Sequence, residues 1–200
     1  MRPPIFFAAS MATVALLIPP NVASAAVSVK ARTVTYSISG KNGAALLEVM
    51  DRRGPKHGFL THAIAQTAYT VSWTIDWRER GDSCRIADAA ALLSITYTFP
   101  QVSGQMSPNL ERHWARFMAG VRKHEQTHGR IARQMVNEAQ RSLSGLFDAN
   151  DPGCRRTQAE VKQVIATVYA KYEARQLAFD QVEHAPGGNV ERLVMMLSQG

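Results

Sequence analysis

The chain holds only two cysteines, Cys84 and Cys154, and neither belongs to a closely spaced pair. That spacing excludes the clustered thiolates of a cysteine-rich zinc module. No apolar run beyond the first 25 residues is long enough for a membrane span, which needs about 20 consecutive apolar residues. There is no internal repeat and no low-complexity tract. Lysine and arginine outnumber aspartate and glutamate, 23 to 16. The basic residues are nevertheless scattered, as at Arg52-Arg53, Arg78, Arg80, Arg130 and Arg155-Arg156. A nucleic-acid partner is not expected without a concentrated basic stripe, and the excess charge reads as a solubility surface.

The N-terminus has its own character. Arg2 gives a positive start, an apolar run extends from Ile5 to Ile18, and Ala23-Ser24-Ala25 supplies small residues at A-x-A spacing. This order predicts a secretory signal over residues 1–25, cleaved after Ala25. The run is too short to span a bilayer comfortably, so no stable membrane insertion is expected after cleavage. The expected location is secreted or periplasmic. In such an oxidising compartment an even cysteine count predicts a Cys84–Cys154 disulfide. Residues 26–200 are expected to form one domain, strand-rich over 27–100 and helical over 107–184.

Within that domain, Val34, Tyr36 and Ile38 alternate with polar residues until Gly40-Lys41-Asn42-Gly43. Ala44 to Met50 reads as a short helix stopped by Gly54-Pro55. Val71, Trp73, Ile75 and Trp77 fall on one strand face, as do Ala91, Leu93, Ile95, Tyr97 and Phe99. The tryptophans therefore read as packing groups. Ser107-Pro108 is a helix N-cap followed by proline in the first turn. The helical pattern after it runs to about Leu146, with Gly120 and Gly129 as possible breaks. A polar loop, Asp148 to Cys154, precedes a second helix over Arg156 to Phe179, with Val161, Ile165, Val168, Tyr172 and Phe179 as its stripe. The tail from Ala185 reads as a loop with a weak final helix or a frayed end. Strands followed by helices predict an α+β fold. The expected form is a small, mostly antiparallel sheet packed on a C-terminal helical hairpin, in a zincin-like arrangement.

The chemistry concentrates in His124-Glu125-Gln126-Thr127-His128. Leu110, Trp114, Phe117, Val121, His124, His128, Ile131 and Met135 are spaced alternately four and three apart, so both histidines occupy an apolar helical stripe. A buried imidazole without a partner costs about 1–3 kcal/mol. Histidines four apart lie one turn apart, about 6 Å along the axis, and can converge on one ion. Zinc would be the cofactor, with Glu125 as general base toward a zinc-bound water.

Catalytic zinc takes three protein ligands and keeps one position open. The extended pattern that would place a third histidine at position 134 is absent, since Gln134 stands there and Ile131 replaces a glycine. If the two helices form an antiparallel hairpin, Asp180 and His184 come level with the motif. His184 is the first candidate ligand. Asp180 is the alternative, as ligand or as the carboxylate that orients a ligating histidine. His113 lies about 16 Å from His124 along the same helix and is excluded. His57 and His62 read as surface groups. Tyr169, Tyr172 or an arginine are the candidates for stabilising an oxyanion.

These residues resemble the bacterial "domain of unknown function 922" family, which is described as predicted secreted zinc-dependent proteases. The resemblance spans Tyr36-Ser37-Ile38-Ser39-Gly40, Gly54-Pro55, Trp73-Thr74-Ile75-Asp76-Trp77, Cys84, Thr96 to Pro100, Trp114, the histidine motif, and Phe179 to His184. Its late motif is similar to an aromatic-Asp pair followed by Thr-x-His-Gly, with Asp180 and His184 as the Asp and His, but Val182 replaces Thr and Ala185 replaces Gly. The resemblance implies zinc, export and peptidase activity on a peptide or protein substrate. Two other readings are a non-catalytic envelope binding module with a structural metal, and a zinc hydrolase of cell-wall peptides.

Overall fold

A computed structural model describes residues 27–57 and 61–200. The expected signal segment, residues 1–25, lies outside the described residues. Alternating half-buried and exposed side chains form strand β4, Gln66–Arg80. A turn through Gly81, at φ +60°, returns the chain as β5, Ser83–Val102. The two pair antiparallel, with Trp73 opposite Ala91 and Thr67 opposite Tyr97. Strand β1, Ser28–Ile38, lies on the other side of β5 and runs parallel to it. A two-residue strand β6, Phe147–Asp148, pairs antiparallel with the start of β5. The sheet order is thus β1-β5-β4. Antiparallel pairing dominates as expected, and β1 is the parallel exception.

Helix α1, Gly43–Arg53, follows β1 and is capped by Asn42, whose side chain accepts from the Ala45 N–H. A small hairpin of β2, Lys56–His57, and β3, Thr61–His62, then leads into β4. Helix α2, Pro108–Leu143, starts at the Ser107 cap and runs without interruption. It ends three residues before the expected Leu146, because the chain turns at Ser144-Gly145 to reach β6. Neither Gly120 nor Gly129 breaks it. Both are packing glycines: a Cβ on Gly129 would sit 2.0 Å from the Tyr97 hydroxyl, and one on Gly120 would sit 2.5 Å from Leu193.

Helix α3, Arg155–Glu183, returns along α2. Its start is held by buried Asp151, whose carboxylate accepts from the Arg156 and Thr157 N–H groups and from the Thr157 hydroxyl. Cys84 and Cys154 form a disulfide that ties the β5 start to this turn. Helix α4, Asn189–Ser198, is the final helix of the two alternatives expected for the tail, and the end is not frayed. Leu197 is fully buried, and the Gly43 N–H donates to the Gly200 carbonyl. A short loop and a proline made this segment look weak, but its amphipathic face finds a partner in α1 and α2.

One sheet face carries the core. Ala91, Leu93 and Ile95 pack against Ile131, Met135 and Val136 of α2 and Val168 and Tyr172 of α3. A second core forms where α1, α2 and α4 meet, around Leu46, Met50, Phe117 and Leu197. Burying side chains of this size stabilises by about 1.5–3 kcal/mol each. These two cores fix α2 from both sides. Among the described residues no helix is long and apolar enough to cross a membrane.

Candidate metal centre

Because α2 is continuous, its stripe stays in phase through the histidines. His124 is 8% exposed and Glu125 6%. The antiparallel hairpin brings the last turns of α3 opposite them. His128 Nε2 lies 3.2 Å from His124 Nε2. Asp180 Oδ1 is 2.9 Å from His128 Nε2 and 3.4 Å from His124 Nε2. His124, His128 and Asp180 form a group whose ligand atoms could hold one metal ion.

The ring tautomers support that role. Gln176 Nε2 donates to the His128 carbonyl, which leaves Gln176 Oε1 facing His128 Nδ1 at 2.6 Å. An amide oxygen only accepts, so Nδ1 carries the proton and donates. His124 Nδ1 faces Glu183 Oε2 at 3.4 Å, and Asn189 Nδ2 donates to the same oxygen. The carboxylate too can only accept from the ring. In neutral rings both Nε2 lone pairs therefore point at one another and at a carboxylate oxygen. Three such electron-rich atoms repel unless a cation lies between them. Tetrahedral zinc with ligands at about 2.0–2.1 Å has ligand–ligand edges near ~3.3 Å, and the observed triangle matches that size. Phe179 packs on both imidazoles, with ring centroids 4.9 and 5.1 Å away.

His184 stands at the rim. It is exposed, caps α3, and its ring meets the His124 ring edge-on at 5.5 Å. The first-choice ligand thus lies beside the cluster, while Asp180 is inside it. One turn of helix separates them: Asp180 points between the helices, and His184 sits where the last turn ends.

Glu125 is held from the sheet. The Thr67 hydroxyl lies 2.6 Å from Glu125 Oε2, to which it donates, and 3.0 Å from the Glu125 carbonyl. Thr67 had no marker in the sequence, since its relation to Glu125 arises only when β4 docks on α2. Gln176 and Glu183 were equally invisible as polar helix residues. A cleft of about 610 Å³ opens over the cluster and includes Glu125, His62, Tyr69 and Glu173 in its wall. His62 therefore borders the cleft and is not a detached surface group. The side chain of His57 lies outside the described residues. Tyr169 accepts from Trp73 Nε1, and Tyr172 donates to Glu138. Neither lines the cleft, and among the described residues no arginine does. His113 Nδ1 donates to the Asn109 carbonyl, far down α2, as its spacing requires.

Residues 33–188 match the family described as "Bacterial protein of unknown function (DUF922)". The chain belongs to this family. The match contains the whole His124–His128–Asp180 group and the strands that support it, but ends before α4. No curated protein and no solved structure matches the chain.

Proposed function

We propose that this DUF922 protein is an exported zinc-dependent peptidase. The observation that carries the reading is the triangle of His124 Nε2, His128 Nε2 and Asp180 Oδ1, with buried Glu125 beside it in an open cleft. A zinc ion held by these three groups would lower the pKa of a bound water toward ~7 and polarise a substrate carbonyl. Glu125 accepts a proton from the attacking water as the C–O bond forms. It then delivers that proton to the amine as the C–N bond breaks. The Thr67 hydroxyl holds the carboxylate in place for both transfers. Gln176 and Glu183 hold the two imidazoles by their Nδ1 groups. The A-x-A segment before residue 26 and the Cys84–Cys154 disulfide support export to an oxidising compartment.

Metal analysis of the purified chain is expected to find one zinc per molecule. Cleavage of casein is expected to stop with a chelator and return with zinc. Glu125→Gln is expected to keep the metal and lower turnover by about 100-fold or more. Turnover that persists in Glu125→Gln would refute the mechanism. Cleavage of peptidoglycan with casein left intact would move the substrate to the cell wall.

A further inference from the structure

We propose that α4 builds an apolar pocket beside the histidine–aspartate cluster, and that this pocket selects a peptide with a bulky apolar side chain next to the cleaved bond. The inference rests on the peptidase reading and names the substrate class for it. The cleft has two unlike ends. One holds His124, Glu125, His128 and Asp180. The other, toward the start of α2, is lined by Phe117 and Val121 of α2, Val190 and Leu193 of α4, and Ile64 before β4. Val121 precedes His124 by three residues, which is about 5 Å along the helix axis. A side chain one residue from a carbonyl held at the cluster can span that distance.

The wall is built to stay in place. On α4, Leu197 is fully buried, and a Cβ on Gly43 would overlap its carbonyl oxygen at 1.7 Å. Gly120 admits Leu193 so closely that a Cβ would sit 2.5 Å from both of its methyl carbons. Asn189, the first residue of α4, donates to Glu183, which faces His124. The helix that forms the apolar end is therefore tied to the metal end. A rigid apolar recess continuous with a carbonyl-gripping cluster suits an apolar side chain of an extended peptide. A charged side chain there would lose its water without gaining a partner.

Two small probes test this by calorimetry on the zinc-loaded chain: acetohydroxamate, which can grip only the metal, and 3-phenylpropanohydroxamate, which adds an apolar arm. The phenyl probe is expected to bind at least about tenfold tighter, the scale of burying one aromatic side group. Gly120→Ala pushes the flexible Leu193 methyls into the recess, and Leu193→Asp places a charge there. Both variants are expected to bring the two affinities within about threefold and leave acetohydroxamate binding unchanged. Circular dichroism checks that each variant stays folded, and Leu193→Ala, a milder change, is expected to retain the arm's advantage in part. Equal affinities in the unaltered chain would overturn the pocket and spare the metal centre. Binding of the phenyl probe alone would spare the pocket and overturn the metal centre. Binding of neither would overturn both. Selective phenyl binding without any peptide cleavage would keep the pocket and refute only the peptidase reading.

Discussion

In α2 the two histidines interrupt an apolar stripe, at positions where Phe117, Val121, Ile131 and Met135 set the pattern. At the end of α3, Gln176, Asp180 and Glu183 follow one another at spacings of four and three, with Glu173 and His184 on the same helical face. Both stretches present a helical face to the same candidate metal site. Only the first stands out in the sequence, because a polar group on a buried face demands an explanation and a polar group on a polar face does not. Which turn of α3 faces the cluster is set by how the hairpin docks.

The largest effect is expected at the two candidate third ligands. Asp180→Ala is expected to weaken zinc binding by more than ~100-fold, above the usual effect of an outer hydrogen-bonding partner. His184→Ala is expected to change it by less than about threefold, as befits a rim residue. Competition with a chelating dye measures both, and equal losses would place both side chains on the metal.

Next in size is the hydrogen bond that fixes a tautomer. Gln176→Leu removes the acceptor at His128 Nδ1 and is expected to lower zinc affinity by ~10–100-fold. An unchanged affinity would show that the α3 face only packs. Gly129→Ala probes the sheet-facing side of α2, one turn on from Glu125, where the Tyr97 hydroxyl occupies the space of a Cβ. Overpacking there is expected to cost about 1–3 kcal/mol in urea unfolding, with the metal stoichiometry intact.

The smallest effect is expected at the far end of α3. The Asp151 carboxyl sits below the usual carboxylate range: burial pushes it up, but the Thr157 and Arg156 N–H groups and the Thr157 hydroxyl together pull it down further. A group depressed in the folded state stabilises the fold above its unfolded pKa, about 3.9, and that contribution fades as pH falls through the lower folded value. Asp151→Asn is therefore expected to lower the melting temperature by several degrees at neutral pH. The difference from the unaltered chain is expected to shrink as the pH drops below about 4. A gap that stays constant down to pH 2 would break the assignment, and metal binding at neutral pH is expected to be untouched.

Much of the fold could be read along the chain. The alternation of Val71, Trp73, Ile75 and Trp77 is matched by half-buried residues on β4, and the Ser107-Pro108 start of α2 is observed. What could not be read was long-range. The parallel pairing of β1 with β5 depends on how α1 and the β2–β3 hairpin return the chain. The docking of α4 depends on space left at Gly43 and Gly120. Both glycines resemble breaks in a linear reading, because the absence of a side chain says nothing of what fills the space.

By itself the sequence determined the α+β order, the apolar stripe of α2 and the presence of two histidines with a glutamate upon it. Helical periodicity is local, and a run of 36 residues leaves little freedom in where each side chain points. Only the tertiary structure decided that Asp180 enters the cluster while His184 stands at its rim. Only it decided that Thr67 grips Glu125, and that the last helix closes the cleft. Each depends on the docking of elements far apart in sequence, where a shift of one helical turn exchanges one side chain for another.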